Sequence, residues 1–201
     1  MQRLAIVACL ALAFLVTGAL PGEARKLKGE AAEEIVWEAA GYIASIRTLS
    51  AGFDYVTPRG RTGGYLFLDR ERAAIRMQYG PPLNHLLLVN GPRVQFFGGD
   101  GTVLEIGSEG TPFAFLLRPV ESLDSQIEVL EVEERGDRIF VALAERDNVG
   151  AGQTIVQFQR EPEWQLIDWG TFDSKGRYTQ TILKDQETGL RLDEMLFEPP
   201  Q

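Results

Sequence analysis

At Leu49 the apolar residues stop recurring every three or four positions and begin recurring every second one, and that change of period constrains the fold. Upstream, Gly29 to Arg47 carries Ile35, Val36, Ala39, Ala40, Ile43 and Ile46 at helical spacing, with Glu30, Glu33, Glu34 and Glu38 between them. This predicts one amphipathic helix whose early glutamates suit the positive end of its dipole. Downstream come short alternating segments: Ser50–Val56, Gly64–Arg70, Ala74–Tyr79, His85–Val89, Arg93–Phe97, Thr102–Ile106, Ser125–Glu133, Arg138–Ala144, Thr154–Arg160, Trp164–Phe172, Gly176–Lys184 and about Leu190–Phe197. Turn residues separate them, most clearly Asn90-Gly91, a strong two-residue hairpin signal. Of these twelve segments about ten or eleven are expected as strands, mostly antiparallel on short links, and such a sheet curls strongly or closes and does not lie open and flat. The expected class is mainly β: a curled or closed antiparallel sheet with an N-terminal helix.

One segment breaks the strand rhythm. In Thr111-Pro112-Phe113-Ala114-Phe115-Leu116-Leu117, threonine suits an N-cap and proline the first helical position. Pro119 limits the far end. The short helix is apolar nearly all round, so it must be covered on more than one side.

The first residues read as a signal peptide over 1–24. Arg3 supplies the positive start, Leu4 to Leu20 the apolar stretch, and Pro21-Gly22-Glu23-Ala24 small residues near a cleavage site. As a membrane span the stretch is at the lower limit of about 17 residues, and Gly18 breaks it. Ile6-Val7-Ala8-Cys9 resembles a lipidation box, but Leu4 to Ala8 is too short to precede it, so Cys9 reads as one more small hydrophobe. The remainder, 25–201, suits one secreted domain.

That remainder has no cysteine and a single histidine, His85. It therefore has no disulfide and no thiol chemistry. No G-x-S-x-G, H-E-x-x-H or P-loop pattern supplies a nucleophile, a zinc site or a phosphate cradle. No catalytic residue, metal site or cofactor is expected, although an enzyme built on Asp and Glu alone stays open. Losing the leader removes Arg3 and Glu23 and leaves the net charge at −9. So acidic a chain does not seek nucleic acid by bulk charge. Trp37, Trp164 and Trp169 are expected in the core or at its rim rather than as a stacking platform.

Several segments, in order, resemble the LolA family of periplasmic outer-membrane lipoprotein carriers. They are Leu49-Ser50-Ala51-Gly52-Phe53, Gly63-Gly64-Tyr65-Leu66-Phe67-Leu68-Asp69-Arg70, Tyr79-Gly80-Pro81-Pro82, Leu87-Leu88-Val89-Asn90-Gly91, Thr111-Pro112-Phe113 and Leu196-Phe197-Glu198-Pro199-Pro200-Gln201. The sequence departs from the family in having Glu71 where proline usually follows the arginine.

The resemblance implies an incompletely closed antiparallel β-barrel, a half-barrel with acyl chains on its concave side and short helices as a lid. It implies Leu66, Leu68, Ile75, Met77 and Tyr79 as the acyl-chain cavity, with ordinary core packing as the competing reading. It implies Arg70 as the lid switch, bonding carbonyls of a lid helix that carries Pro112, Phe113, Phe115, Leu116 and Leu117. The competing reading is a strand-end arginine paired with Asp69 or Glu71. Implied partners are acylated lipoproteins, an inner-membrane ABC-type lipoprotein-releasing transporter and an outer-membrane receptor. The carrier itself is expected as a monomer with no cofactor. The alternative is a periplasmic sensor or regulatory module that uses a similar half-barrel to bind lipid or a partner protein.

Overall fold

The computed structural model describes residues 24–107, 113–117, 127–146 and 152–200. The leader through residue 23 lies outside them, as do Thr111 and Pro112. Helix α1 spans Glu30–Ser45 and buries Ile35, Ala39 and Ile43, the stripe its period assigns inward. The strands are β1 (Arg25–Leu27), β2 (Thr48–Thr57), β3 (Gly60–Asp69), β4 (Ala74–Tyr79), β5 (Leu86–Asn90), β6 (Arg93–Phe97) and β7 (Val103–Gly107). After the single helical turn α2 (Ala114–Leu117) come β8 (Ile127–Arg135), β9 (Arg138–Glu145), β10 (Gly152–Gln159), β11 (Gln165–Asp173) and β12 (Tyr178–Thr188).

All twelve form one antiparallel sheet in the order β1-β8-β9-β10-β11-β12-β2-β3-β4-β5-β6-β7. Two meanders, β2–β7 and β8–β12, are joined where the last strand pairs with β2. The edges β1 and β7 do not pair with each other, so the sheet is not closed into a barrel. Its inner face carries Phe53, Leu66, Leu68, Ile75, Met77, Val132, Val141, Val156 and Trp169, which share one core with α1, Phe113, Phe115 and Leu116. Trp164 packs against that core, while Trp37 lies exposed on α1.

The expected strand at Leu190–Phe197 does not form. Glu194–Phe197 is a 3₁₀ turn, capped by the Asp193 side chain, which accepts from the Met195 N–H at 3.0 Å. The turn lies on the outer face of β4 and β5. Arg76 donates to the Leu196 carbonyl at 3.0 Å and Asn90 to that of Phe197 at 3.2 Å. Phe197 is buried, and so are Ala74 and Leu88 on the same outer face. The alternating pattern of the segment reflects docking on a sheet rather than membership of one.

Candidate functional site

The two ends of the sheet are built differently. At the α1 end, Leu49, Leu68, Ile75, Val89 and Val94 stand at one level of the inner face, and Ala51, Leu66, Met77 and Leu87 at the next. Leu66, Ile75 and Met77 have no exposure and Leu68 only 1%. Four of the five predicted cavity residues are therefore filled core. The fifth, Tyr79, lies at the boundary. Its ring meets Phe53 edge-on at 5.1 Å and Tyr55 at 5.2 Å. Burial, and then neighbouring Tyr55, push its hydroxyl well above the usual tyrosine range. Gly64 makes room for this cluster, because a Cβ there would collide with the Phe53 ring and the Gln78 carbonyl.

Beyond Tyr79 lies a cavity of about 880 Å³. It occupies the opposite end, where the β2–β3 hairpin, the end of β9, the start of β10 and the β11–β12 turn converge. Tyr79, Leu83, Phe96, Phe115, Ile127 and Leu143 give it apolar walls, and Thr62, Thr154, Thr171 and Thr179 face it from the strands between. His85 also lines it, with its ring 4.7 Å from that of Phe96.

Among the described residues, Arg59, Arg61, Glu145, Asp173 and Arg177 are the charged Arg, Asp and Glu residues of the cavity lining, and three of them are ion-paired. Arg61 and Lys184 both pair with Asp54. Burial pushes that carboxyl up, but hydrogen bonds and charge from Lys184 and Arg61 outweigh it and hold the group below its ordinary range. Asp173 accepts the Arg177 backbone N–H at 2.9 Å, pairs with the same guanidinium and also accepts from Lys175, which together hold it low.

Arg70 is placed otherwise than expected. Its Nε donates to the Ile46 carbonyl at 3.0 Å and its terminal nitrogen to that of Ile43 at 2.6 Å. These carbonyls close α1, not the 111–118 segment. The bonding chemistry is the expected one, because the last carbonyls of a helix lack partners within it and arginine is all donor. The reason is connectivity: Arg47 follows α1 directly into β2, whose partner β3 ends beside it, and the Arg70 N–H donates to the Arg47 carbonyl at 2.8 Å. Asp69 is taken by Arg72 and leaves Arg70 to the helix. Of the expected lid residues, Phe113, Phe115 and Leu116 are buried and Leu117 half-buried, while Pro112 lies outside the described residues.

The cavity residues that sequence reasoning missed lie one or two strand positions farther along the same faces. Extending the alternation of Leu66 to Gly64 and Thr62, and of Phe53 to Tyr55, reaches them. Among the described residues Asp168 is the carboxyl most strongly raised, to about 6 by burial, against partial relief from Gln180 and Arg138. It alternates with Trp169 and so faces away from the cavity, opposite Gln157 and Ile182. Among the described residues no cluster of His, Cys, Asp and Glu could hold a metal ion.

Residues 44–200 match the model of a family described as outer membrane lipoprotein carrier protein LolA. No curated protein sequence matches the chain. Among solved structures, an uncharacterized conserved protein from Thermus thermophilus is similar with a TM-score of 0.51 at 8% identity, over 84% of this chain and 94% of that one. A LolA superfamily protein from Nitrosomonas europaea has a TM-score of 0.48 at 10% identity, over 84% and 97%. The MucA/MucB complex of Pseudomonas aeruginosa has a TM-score of 0.45 at 14% identity, over 84% and 61%.

Proposed function

This chain belongs to the LolA family, and we propose that it is a periplasmic chaperone that holds the acyl chains of lipoproteins and carries them from the inner to the outer membrane. The observation that carries the reading is the cavity beyond Tyr79, roofed by Phe115 and walled by Leu83, Phe96, Ile127 and Leu143. Each methylene buried there gains about 0.8 kcal/mol. A multiply acylated protein can cross water only with comparable burial in a carrier.

At about 880 Å³ the cavity is near the upper end of small-molecule pockets, which run to roughly 1,000 Å³. Several long chains need more room. In this reading the extra room comes from the α1 end, where Arg70 latches the helix to β3. Incoming chains displace α1, break the bonds to Ile43 and Ile46, and join the filled end to the open one. The protein acts as a monomer with no cofactor and no catalytic residue of its own. A transporter at the inner membrane supplies the energy, and an outer-membrane receptor takes the cargo. Acidic surface charge suits a carrier that must stay off anionic membranes between encounters.

The test is cargo release. Purified protein is added to spheroplasts making an outer-membrane lipoprotein, with wild type set beside Arg70→Leu. Release of the lipoprotein as a soluble one-to-one complex is expected. In the variant, with two helix carbonyls unpaired and the latch gone, hand-over should change at least several-fold. If folded wild-type protein releases nothing from spheroplasts whose own carrier does, the carrier reading fails and a sensor that binds lipid or a partner protein takes its place.

A further inference from the structure

The inner face changes chemistry between its two ends. At the α1 end it is hydrocarbon throughout, but in the cavity it carries a row of threonines. Thr154 on β10 stands opposite Thr171 on β11, and Thr171 stands opposite Thr179 on β12. All three are half-buried and line the cavity. With strands about 4.8 Å apart, the row spans roughly 10 Å. Leu143 continues it on β9, opposite Thr154.

The hydroxyls of Thr171 and Thr179 lie 2.8 Å apart and share one hydrogen bond. One proton serves that bond, and the other hydroxyl keeps its proton for something else. The Thr154 hydroxyl has no hydrogen-bond partner among the described residues, although its strand is paired on both sides. Two donors therefore face the cavity between its apolar walls. An occupant of pure hydrocarbon would strip water from them and return nothing, at a cost of about 1–3 kcal/mol for each group. An occupant with neutral acceptors beside its hydrocarbon would satisfy them. The row itself is uncharged; of the cations that line the cavity, Arg61 and Arg177 are already paired with Asp54 and Asp173, and Arg59 sits in the β2–β3 turn.

We infer that Thr154, Thr171 and Thr179 form a subsite for the ester carbonyls of a diacylglyceryl group, with the acyl chains lying against Tyr79, Phe96 and Phe115. The inference rests on the lipid-binding reading above and adds to it a chemical preference for esters over equally apolar linkages. The two esters of such a group sit on neighbouring glycerol carbons, so they can reach donors on neighbouring strands. The threonines donate and no bond is made or broken.

The test compares ligands that differ only in the carbonyl. A synthetic dipalmitoyl-glyceryl lipopeptide is titrated against the purified protein by displacement of a polarity-sensitive dye, beside its dialkyl-ether analogue. A dipalmitoyl phospholipid and its ether analogue form a second pair, which tells an acylated peptide from a free membrane lipid as the source of the ester. Wild type should take the ester member of at least one pair about tenfold more tightly. The triple variant Thr154→Val, Thr171→Val, Thr179→Val keeps the β-branched shape and should bind ester and ether within about twofold of each other. Should the triple variant not fold, the wild-type comparison decides alone. Equal affinity of wild type for ester and ether overturns the threonine subsite and leaves lipid binding standing. Failure to bind any of the four overturns both.

Discussion

The α1 end and the cavity end of this sheet use the same strands and the same inner face, yet one is packed solid and the other is hollow. Met77 and Tyr79 show the contrast within one strand: Met77 has no exposure, while Tyr79 two residues on borders open space. The difference lies in what covers each end. Residues of α1 fill the first, with Ile35, Ala39 and Ile43 in the same core as Leu66, Leu68 and Ile75. Among the described residues the second has Phe115 and the strand ends about it, and threonine replaces leucine and valine on β10, β11 and β12. A half-barrel can thus keep one end filled while α1 is latched and the other open for a ligand, with an aromatic cluster at the boundary.

Truncation at the filled end should break the contrast most forcefully. Met77→Ala removes a fully buried side chain with no room to collapse, so unfolding in urea should show a loss of about 3 kcal/mol. The same change should leave dye uptake at the cavity within about twofold of wild type, since the deleted atoms lie behind Tyr79. A large loss of uptake with stability intact would show that the two ends already communicate while α1 is latched.

The next effect is set by pH and belongs to the outer face. The Asp168 carboxyl is raised to about 6 in the folded protein, above its ordinary value of 3.8, so folding favours its protonated form. Its contribution is fully present below about pH 4 and is lost as pH rises through about 6. Asp168→Asn should therefore stabilise the protein at pH 7–8 by up to about 3 kcal/mol and have little effect below pH 4. Melting curves across that range check it. Ligand uptake should not follow the same profile, because Asp168 faces away from the cavity.

The smallest effect on stability is expected inside the cavity. Leu143→Trp places a larger side chain in existing space rather than in a packed core, so stability should change by less than about 1 kcal/mol. Lipid uptake should fall by about tenfold or more as the ring takes the volume an acyl chain would use. Unchanged uptake would move the binding site away from this end.

Much of the fold was legible because period is a local property. The helix at Gly29–Arg47 and the strands at Ala74–Tyr79 and Arg93–Phe97 follow from spacing alone, and the structure places α1, β4 and β6 there. Leu190–Phe197 misleads because alternation reports a buried face and not the partner that buries it. Asp193 caps a 3₁₀ turn there, and Arg76 and Asn90 hold it to the sheet.

The candidate site was legible in part. Tyr79 and Phe115 border the cavity, whereas Leu66, Leu68, Ile75 and Met77 are core. Arg70 has the bonding chemistry the family resemblance suggested, with carbonyls of a different helix.

The sequence by itself determined the family, the single helix ahead of an antiparallel sheet, and which residues of each strand share a face. A period of two assigns a side chain to a face, and nothing more distant is needed. Tertiary structure alone decided how far along that face the core extends, which helix Arg70 holds, and that threonines from three strands meet in one row. Each of those depends on register between segments far apart in the chain: Thr179 reaches Thr171 through a hairpin, but Tyr55 meets the same wall only because β12 pairs with β2.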